Sequence, residues 1–477
     1  MKTIIRGGDV VGFDGTRHTL IRNGIVVMDG RVIVHVGESY AGRADVEIDA
    51  AGMLVAPGLI NLHTHTILQV GEIAMLDGGD RPLYGSVYLA CQPRRVSGHL
   101  LQVPFEDHVR AHRYSLATLL RGGCTTVLEM GATSGQPDSV PEAARGLGVR
   151  LYAAAGFRSA HYYYDGQDAL KYDWDEQRGE AGLDSAVAFI RKWNGAENGR
   201  IHAFMNPRNA DTCTPQLLRR AYAAAQDLDV PMQVHTAQHL LEFHEILRRT
   251  NLTPVQYLAS LGVLGPRTTL GHCVYVTGHS KTGLPGNLDL RVIAESGASV
   301  AHCPLEFVRD GHVMESFHRY RTAGINVALG TDTCPRDLLQ EMRLALHASR
   351  LIEGTFREPT SRDLLEAATL AGARALNRPD LGRLAPGAAA DVILVRVNSF
   401  LLGPFNDPVK ALVHGASAGD VHTVIVDGEV VVRNGGLMHD SEDDLLRDAQ
   451  RVAQRLLEHM DWPDKASVIA EGGVGTT

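Results

Sequence analysis

Several things are scarce in this sequence, and each scarcity excludes something. The six cysteines (Cys91, Cys124, Cys213, Cys273, Cys303 and Cys334) are scattered over 477 residues without a C-x-x-C pair. That argues against a zinc knuckle or a disulfide framework and predicts reduced thiols. Positive charge is in the minority, with 46 Lys and Arg against 55 Asp and Glu and a formal charge of −9. The basic field that phosphate backbones select is missing, so neither nucleic acid nor an anionic membrane surface is expected as a partner. No uncharged apolar run reaches the ~20 residues of a membrane span, and the opening residues Met1 to Gly8 lack a signal-peptide apolar region, so a cytoplasmic location is expected. Low-complexity tracts are absent too. What remains is 44% apolar and 21% charged residues, the composition of a folded globular protein.

The apolar runs are organised. Residues 1–56 are rich in Val, Ile and Gly, with strand-like stretches Gly24 to Met28 and Val32 to Val36 flanking Asp29-Gly30. A second segment of this kind follows far downstream, with Ala390 to Val397 and then Val421 to Val426 and Glu429 to Val432 around Asp427-Gly428. Between them, short apolar runs alternate with helical stretches: Gly58 to Leu62, Thr125 to Met130, Val149 to Ala155, Ile201 to Met205, Pro231 to Val234, Thr268 to Gly271, Ala298 to Ala301 and Asn326 to Leu329. Eight strand–helix units predict an α/β fold, a (β/α)8 TIM-type barrel over residues 57–383. A small β-sandwich domain is expected from both chain ends, residues 1–56 and 384–477. The long spacer from Ile67 to Phe105 reads as a loop over the barrel mouth, and the stripe Leu445, Leu446, Ala449, Val452, Ala453, Leu456, Leu457 and Met460 behind Ser441 reads as a C-terminal packing helix. The tail from Gly472 to Thr477 is expected to be disordered.

Barrel enzymes carry their reactive groups where the strands end at their C-termini. Here those ends are repeatedly histidine: Leu62-His63-Thr64-His65, Val234-His235, Gly271-His272 and Ala301-His302, with Thr331-Asp332 closing the series. Any one of them is more simply a hydrogen-bonded structural residue. Several aimed at one mouth with a carboxylate form a metal site, for which zinc is the first choice and iron, manganese or cobalt remain open. A cation held with an open position lowers the pKa of bound water, which is the logic of a hydrolase. A metal-free scaffold is the weakest reading, since it has no physical need of such a set.

These residues form a recognisable pattern. Val55-Ala56-Pro57-Gly58-Leu59-Ile60-Asn61-Leu62-His63-Thr64-His65, Leu264 to Cys273, Ala301-His302-Cys303-Pro304, Leu329-Gly330-Thr331-Asp332 and Gly387 to Asp391 resemble the amidohydrolase superfamily. The set looks most like the branch of cytosine, guanine and S-adenosylhomocysteine deaminases and triazine hydrolases. The resemblance implies one divalent metal per chain held by His63, His65, His235 and Asp332, with His272 orienting the water and Asp332 taking its proton. It also implies a homo-oligomer. No Lys stands at the end of the fourth barrel strand, Ile201 to Arg208, so a single metal is favoured.

The departures bear on substrate. Deaminases of this branch carry a proton-shuttling Glu three residues after the strand-five His, where this chain has Gln238, and Gln cannot be a general acid. Arg208 stands where many members have a substrate-binding His, and reads equally as a loop Arg paired with a surface carboxylate. Pro304-Leu305-Glu306-Phe307 replaces the usual Ser-Asn, so Phe307 is either an apolar wall for the substrate or plain core. Two readings follow. The first is hydrolysis of a non-peptide carbon–nitrogen bond in a small, partly apolar urea, carbamate or amide, similar to the phenylurea and molinate hydrolases, with Gln238 catalytic. The second is an aminohydrolase releasing ammonia from a nucleobase or triazine ring, with Gln238 binding substrate and His302 or Glu306 carrying the proton.

Overall fold

The computed structural model describes residues 1–67, 70, 103–131, 135–164 and 170–460. Five strands open the chain: β1 (Lys2–Phe13), β2 (His18–Asp29), β3 (Val32–Gly37), β4 (Val46–Asp49) and β5 (Met53–Pro57). One residue later β6 (Leu59–Thr64) begins the central part, and β7 (Cys124–Glu129) and β8 (Arg150–Ala153) follow. A hairpin that the sequence reading did not anticipate, β9 (Ala160–Tyr164) with β10 (Leu170–Trp174), is built on His161-Tyr162-Tyr163-Tyr164. Then come β11 (Ile201–Ala203), β12 (Met232–Thr236), β13 (Thr268–His272), β14 (Ser299–His302) and β15 (Asn326–Leu329). Apart from the hairpin, these are the eight expected runs, with ends shifted by a residue or two.

The eight pair in parallel as two four-stranded sheets, β11-β8-β7-β6 and β12-β13-β14-β15. Two isolated parallel bridges, Met205 to Met232 and Thr64 to Asp332, link the sheets at both edges. In a buried strand successive side chains serve opposite faces, and adjacent residues here divide between two apolar clusters. Ile60, Leu128, Tyr152, Ala301 and Ala328 gather in one; Leu59, Val127, Leu151, Val300 and Val327 join the helices in the other. The helix Phe105–Arg121 shows what drives the outer layer, burying Leu116, Leu119 and Leu120 on one face, each contributing about 1.5–3 kcal/mol.

The chain then returns as β16 (Val392–Arg396), β17 (Val421–Val426), β18 (Glu429–Arg433) and β19 (Gly436–Leu437). β16 pairs antiparallel with β5 from Val392–Pro57 to Arg396–Met53, which stitches the two chain ends into one nine-stranded sheet. The expected two-sheet sandwich is therefore hydrogen-bonded as a single sheet, because the β5–β16 ladder runs without a break. The turn from β17 to β18 has both Asp427 (φ 50°) and Gly428 (φ 77°) in the left-handed region, as a two-residue hairpin requires. Gly428 is demanded twice over, since a Cβ there would fall 1.9 Å from the Gly30 carbonyl oxygen.

The C-terminal helix Glu442–Met460 starts where expected, with Ser441 Oγ accepting from the Asp444 amide at 3.3 Å. Val452 and Leu456 pack against Ala111, Ile67 and Val103, and Leu445 and Ala449 are buried as well, while Leu446 of the same stripe is exposed. Among the described residues no helix is long and apolar enough to cross a membrane, and five cysteines are free and buried. Cys91, most of the Ile67 to Phe105 spacer and the tail from Gly472 lie outside the described residues.

Candidate metal centre

The strand ends converge. His63 lies near the end of β6 with His65 just beyond it, His235 lies on β12, His272 ends β13, and Asp332 lies three residues past β15. One ligand atom each from His63, His65 and His235 lie within 4.8 Å of one another, and the same holds for His63, His272 and Asp332. The backbone sets this register: His65 N donates to Asp332 O at 2.6 Å, while Thr331 N and Asp332 N both donate to His63 O at 3.0 Å. Asp332 itself has φ 51°, a conformation that Asp tolerates better than most residues and that buried functional positions tend to hold. Missing side chains make room as well, since a Cβ on Gly330 would stand 2.7 Å from His63 Cβ.

Hydrogen bonding assigns the imidazole nitrogens. His235 Nδ1 lies 2.7 Å from the Arg208 carbonyl oxygen, which only accepts, so Nδ1 carries the proton and Nε2 keeps its lone pair. That lone pair points at His65 Nε2, 3.1 Å away. His63 Nε2, buried, has no hydrogen-bond partner, and neither nitrogen of His272 has one. Burial pushes His63 down to about 3. It also pushes His65, His235 and His272 well below the usual histidine range, helped at His65 by the Arg208 charge and at the other two by His63. All four are therefore neutral near pH 7. Neutral nitrogens with lone pairs facing one another repel unless a cation stands between them, and the Asp332 carboxylate lies 3.2 Å from His272 Nε2, 3.8 Å from His65 Nε2 and 3.9 Å from His63 Nε2. Three imidazoles and a carboxylate are a donor set that fits a divalent transition metal, zinc first among them.

The remaining expected residues fall unevenly around this cluster. Phe307 is buried with its ring centre 4.8 Å from that of His272, inside an apolar group with Phe243, Val274, Tyr275 and Cys303. Arg208 donates to Gly131 O at 3.3 Å, and its charge reaches His63, His65 and His235. Gln238 follows His235 on a turn whose amides at Ala237 and Gln238 donate to the Glu242 carboxylate at 2.8 and 2.7 Å. Glu306 is paired with Arg309 at 2.7 Å and accepts from the Thr333 hydroxyl. His302 is buried with Phe317 as its ring neighbour, 6.5 Å between centres, and is not brought into the cluster.

Sequence reasoning passed over three neighbours of the centre. Glu129 ends β7, buried, and burial raises its carboxyl to about 7 while the Gly131 amide donates to it at 2.7 Å. Its position at a strand end was the available signal. His239, pushed by burial to about 3, adds to the downward pressure on His235 and His272. Gln233 places its side-chain oxygen 2.6 Å from His63 Nδ1. It stands two residues before His235 on the same strand, and the period of two puts both on one face.

The family follows from comparison with known proteins. The Amidohydrolase family model matches residues 54–431, so the chain belongs to the amidohydrolase family. It is a metal-dependent hydrolase acting on carbon–nitrogen bonds. A 5-methylthioadenosine/S-adenosylhomocysteine deaminase from Halobacterium salinarum is 30% identical over 95% of this chain and 97% of its own length. A protein of the same name from Desulforudis audaxviator is 28% identical over 96% of this chain and 100% of its own. An atrazine chlorohydrolase from Arthrobacter aurescens, solved in complex with zinc, superposes with a TM-score of 0.80 at 26% identity, covering 94% of this chain and 100% of that one.

Proposed function

We propose that this protein is a mononuclear zinc aminohydrolase that releases ammonia from a ring amine of a small nitrogen heterocycle, a 5′-substituted adenosine being the first substrate class to test. The observation that carries the metal chemistry is the convergence of two triads that share His63, namely His63, His65 and His235, and His63, His272 and Asp332, each with its ligand atoms within 4.8 Å of one another. What supports deamination is that relatives matching along the whole length are named as deaminases of adenosine derivatives. On that ground the reading moves away from the urea or carbamate cleavage that Gln238 and Phe307 pointed to, and towards ring deamination. The same reading takes the two linked four-stranded sheets as a closed (β/α)8 barrel over residues 57–383, with residues 1–56 and 384–477 forming the companion β domain.

A divalent cation held by His63, His65, His235 and Asp332 would supply a water of lowered pKa. In this mechanism the Asp332 carboxylate takes the proton of the attacking water and passes it to the ring amine, which departs as ammonia while the oxygen stays on the ring carbon. His272, 3.2 Å from that carboxylate, orients the oxygen that attacks the ring carbon. Phe307 walls His272 off from solvent, which strengthens each polar contact inside. Gln238 binds the heterocycle through its amide and does not shuttle a proton. Arg208 keeps positive charge at the rim.

Incubating zinc-loaded protein with 5′-deoxyadenosine, methylthioadenosine, S-adenosylhomocysteine, an aminotriazine and a phenylurea, and reading products by mass spectrometry with an ammonia assay, tests this. Ammonia release with replacement of the amine by oxygen is the expected result. An organic amine released from the phenylurea alone would overturn it and restore urea cleavage.

A further inference from the structure

One side chain near the metal centre has both of its polar ends committed. Gln233, on β12, is buried, and its side-chain oxygen lies 2.6 Å from His63 Nδ1 while its Nε2 lies 3.1 Å from the Leu62 carbonyl oxygen. The orientation of the amide is decided by chemistry. A backbone carbonyl can only accept, so the NH2 end faces Leu62 and the oxygen faces His63. An oxygen there can only accept from the ring, so His63 Nδ1 carries the proton and Nε2 is left bare towards Asp332.

The placement across the molecule gives this contact its weight. Taking the two linked sheets in order, β6 and β12 are separated by three strands on either side, so the Gln233 amide spans between opposite strands. His235 obtains the same tautomer from a backbone oxygen, that of Arg208. His63 has no such carbonyl at its Nδ1 and takes its acceptor from a side chain instead. The ring is also confined, because a Cβ on Gly271 would stand 3.1 Å from His63 Cε1 and Nδ1. A glutamine suits the position better than a carboxylate, since only an amide offers an acceptor to His63 and a donor to Leu62 at once.

We propose that Gln233 is a positioning residue for the metal: its amide selects the Nδ1–H tautomer of His63 and aims Nε2 at the cation. The inference rests on the metal reading of the cluster, and its test separates the two. Zinc affinity is measured by chelator competition for wild-type protein and for Gln233→Met and Gln233→Glu, alongside the melting temperature of each metal-free protein. Wild type is expected to bind one zinc per chain. Q233M, of similar volume but without the acceptor, is expected to bind zinc ~10–100-fold more weakly. Q233E, which keeps an acceptor for His63 but as a carboxylate loses the donor to Leu62, is expected to bind zinc more tightly than Q233M and more weakly than wild type. A folded Q233M that binds zinc as tightly as wild type overturns the proposal. Wild type that binds no zinc breaks the metal reading instead, and a second measurement then still decides the tautomer. In 15N-histidine NMR of metal-free wild type, with His63 assigned by its loss in His63→Ala, protonation at Nδ1 supports the proposal and protonation at Nε2 overturns it. That spectrum also decides the case in which Q233M does not fold.

Discussion

Two places in this molecule bury groups that water would rather keep, and they are built on opposite principles. Where β8 meets the turn between β17 and β18, Arg150 lies 98% buried between Asp391, at 2.5 Å, and Asp427. Arg31 and Arg200 complete Asp427 at 2.7 and 3.4 Å, and the Asp427 amide donates to Asp391 at 2.9 Å. Every charge there finds its opposite within the chain. At the metal centre the chain gathers four neutral imidazoles around one carboxylate, more lone pairs than its own donors there are shown to meet, with His63 Nε2 and both nitrogens of His272 lacking a hydrogen-bond partner. A buried cluster that closes on itself holds segments together; one that is left short of a charge calls for a cation from outside. Asp391, the last residue of the downstream motif Gly387 to Asp391, thus belongs to the first kind.

The largest effect that would break this contrast is at Asp332. On the proposed mechanism Asp332→Asn removes a ligand charge and the base together, and the ammonia-release rate is expected to fall by ~10⁴ or more. Zinc content by atomic emission should fall with it while the protein stays folded. Retention of near-normal turnover would show that the carboxylate is as structural as Asp391.

The converse experiment is Arg150→Met. It leaves Asp391 and Asp427 facing each other, and denaturant unfolding is expected to show a loss of about 3–5 kcal/mol. Zinc per folded chain should not change. If zinc is lost while stability holds, the two clusters are not separable in the way drawn above.

A smaller change tests the departure after β12. If Gln238 is what withholds a proton carrier, Gln238→Glu should raise ammonia release by about 10², near 2.7 kcal/mol in the barrier. It should also introduce a carboxyl pKa into the pH–rate profile. An unchanged rate and profile would mean position 238 lies outside the proton path.

What could be read from sequence divides along the same line. The eight central strands and the convergence of their terminal histidines were legible because a β-strand writes its period into the sequence and the residue at its end follows, as at Leu62-His63 and Val234-His235. The hairpin of β9 and β10 was not, since His161 to Tyr164 has no alternation and takes its register from pairing with Leu170 to Trp174. Nor was the placement of His302 and Glu306. A strand-end His looks the same whether or not it joins the metal-type triads, which His302 does not, and a Glu gives no sign of an Arg309 three residues on turning back to pair with it. Gln233 was hidden for a different reason: its importance lies in a hydrogen bond to a residue 170 positions away.

A lone buried histidine sharpens the comparison from the quiet side. His18 on β2 has Nε2 2.9 Å from Thr369 Oγ1, and its buried Nδ1 has no hydrogen-bond partner, so this ring meets a neutral hydroxyl where the clustered histidines meet one another. Burial lowers it to about 4, against ~6.5 in an unfolded chain. On acidification the unfolded state therefore takes up this proton first, and stability falls as the pH drops from ~6.5 towards 4. Between pH 6.5 and 5 the share due to His18 is about 1–2 kcal/mol. His18→Gln, which keeps a polar group for Thr369 but cannot titrate, should flatten that slope in metal-free protein unfolded by urea at a series of pH values. Zinc affinity should be untouched, because His18 belongs to neither of the triads that could hold a metal. An unchanged slope would mean that His18 is protonated in the fold, and that burial alone does not keep a histidine neutral in this protein.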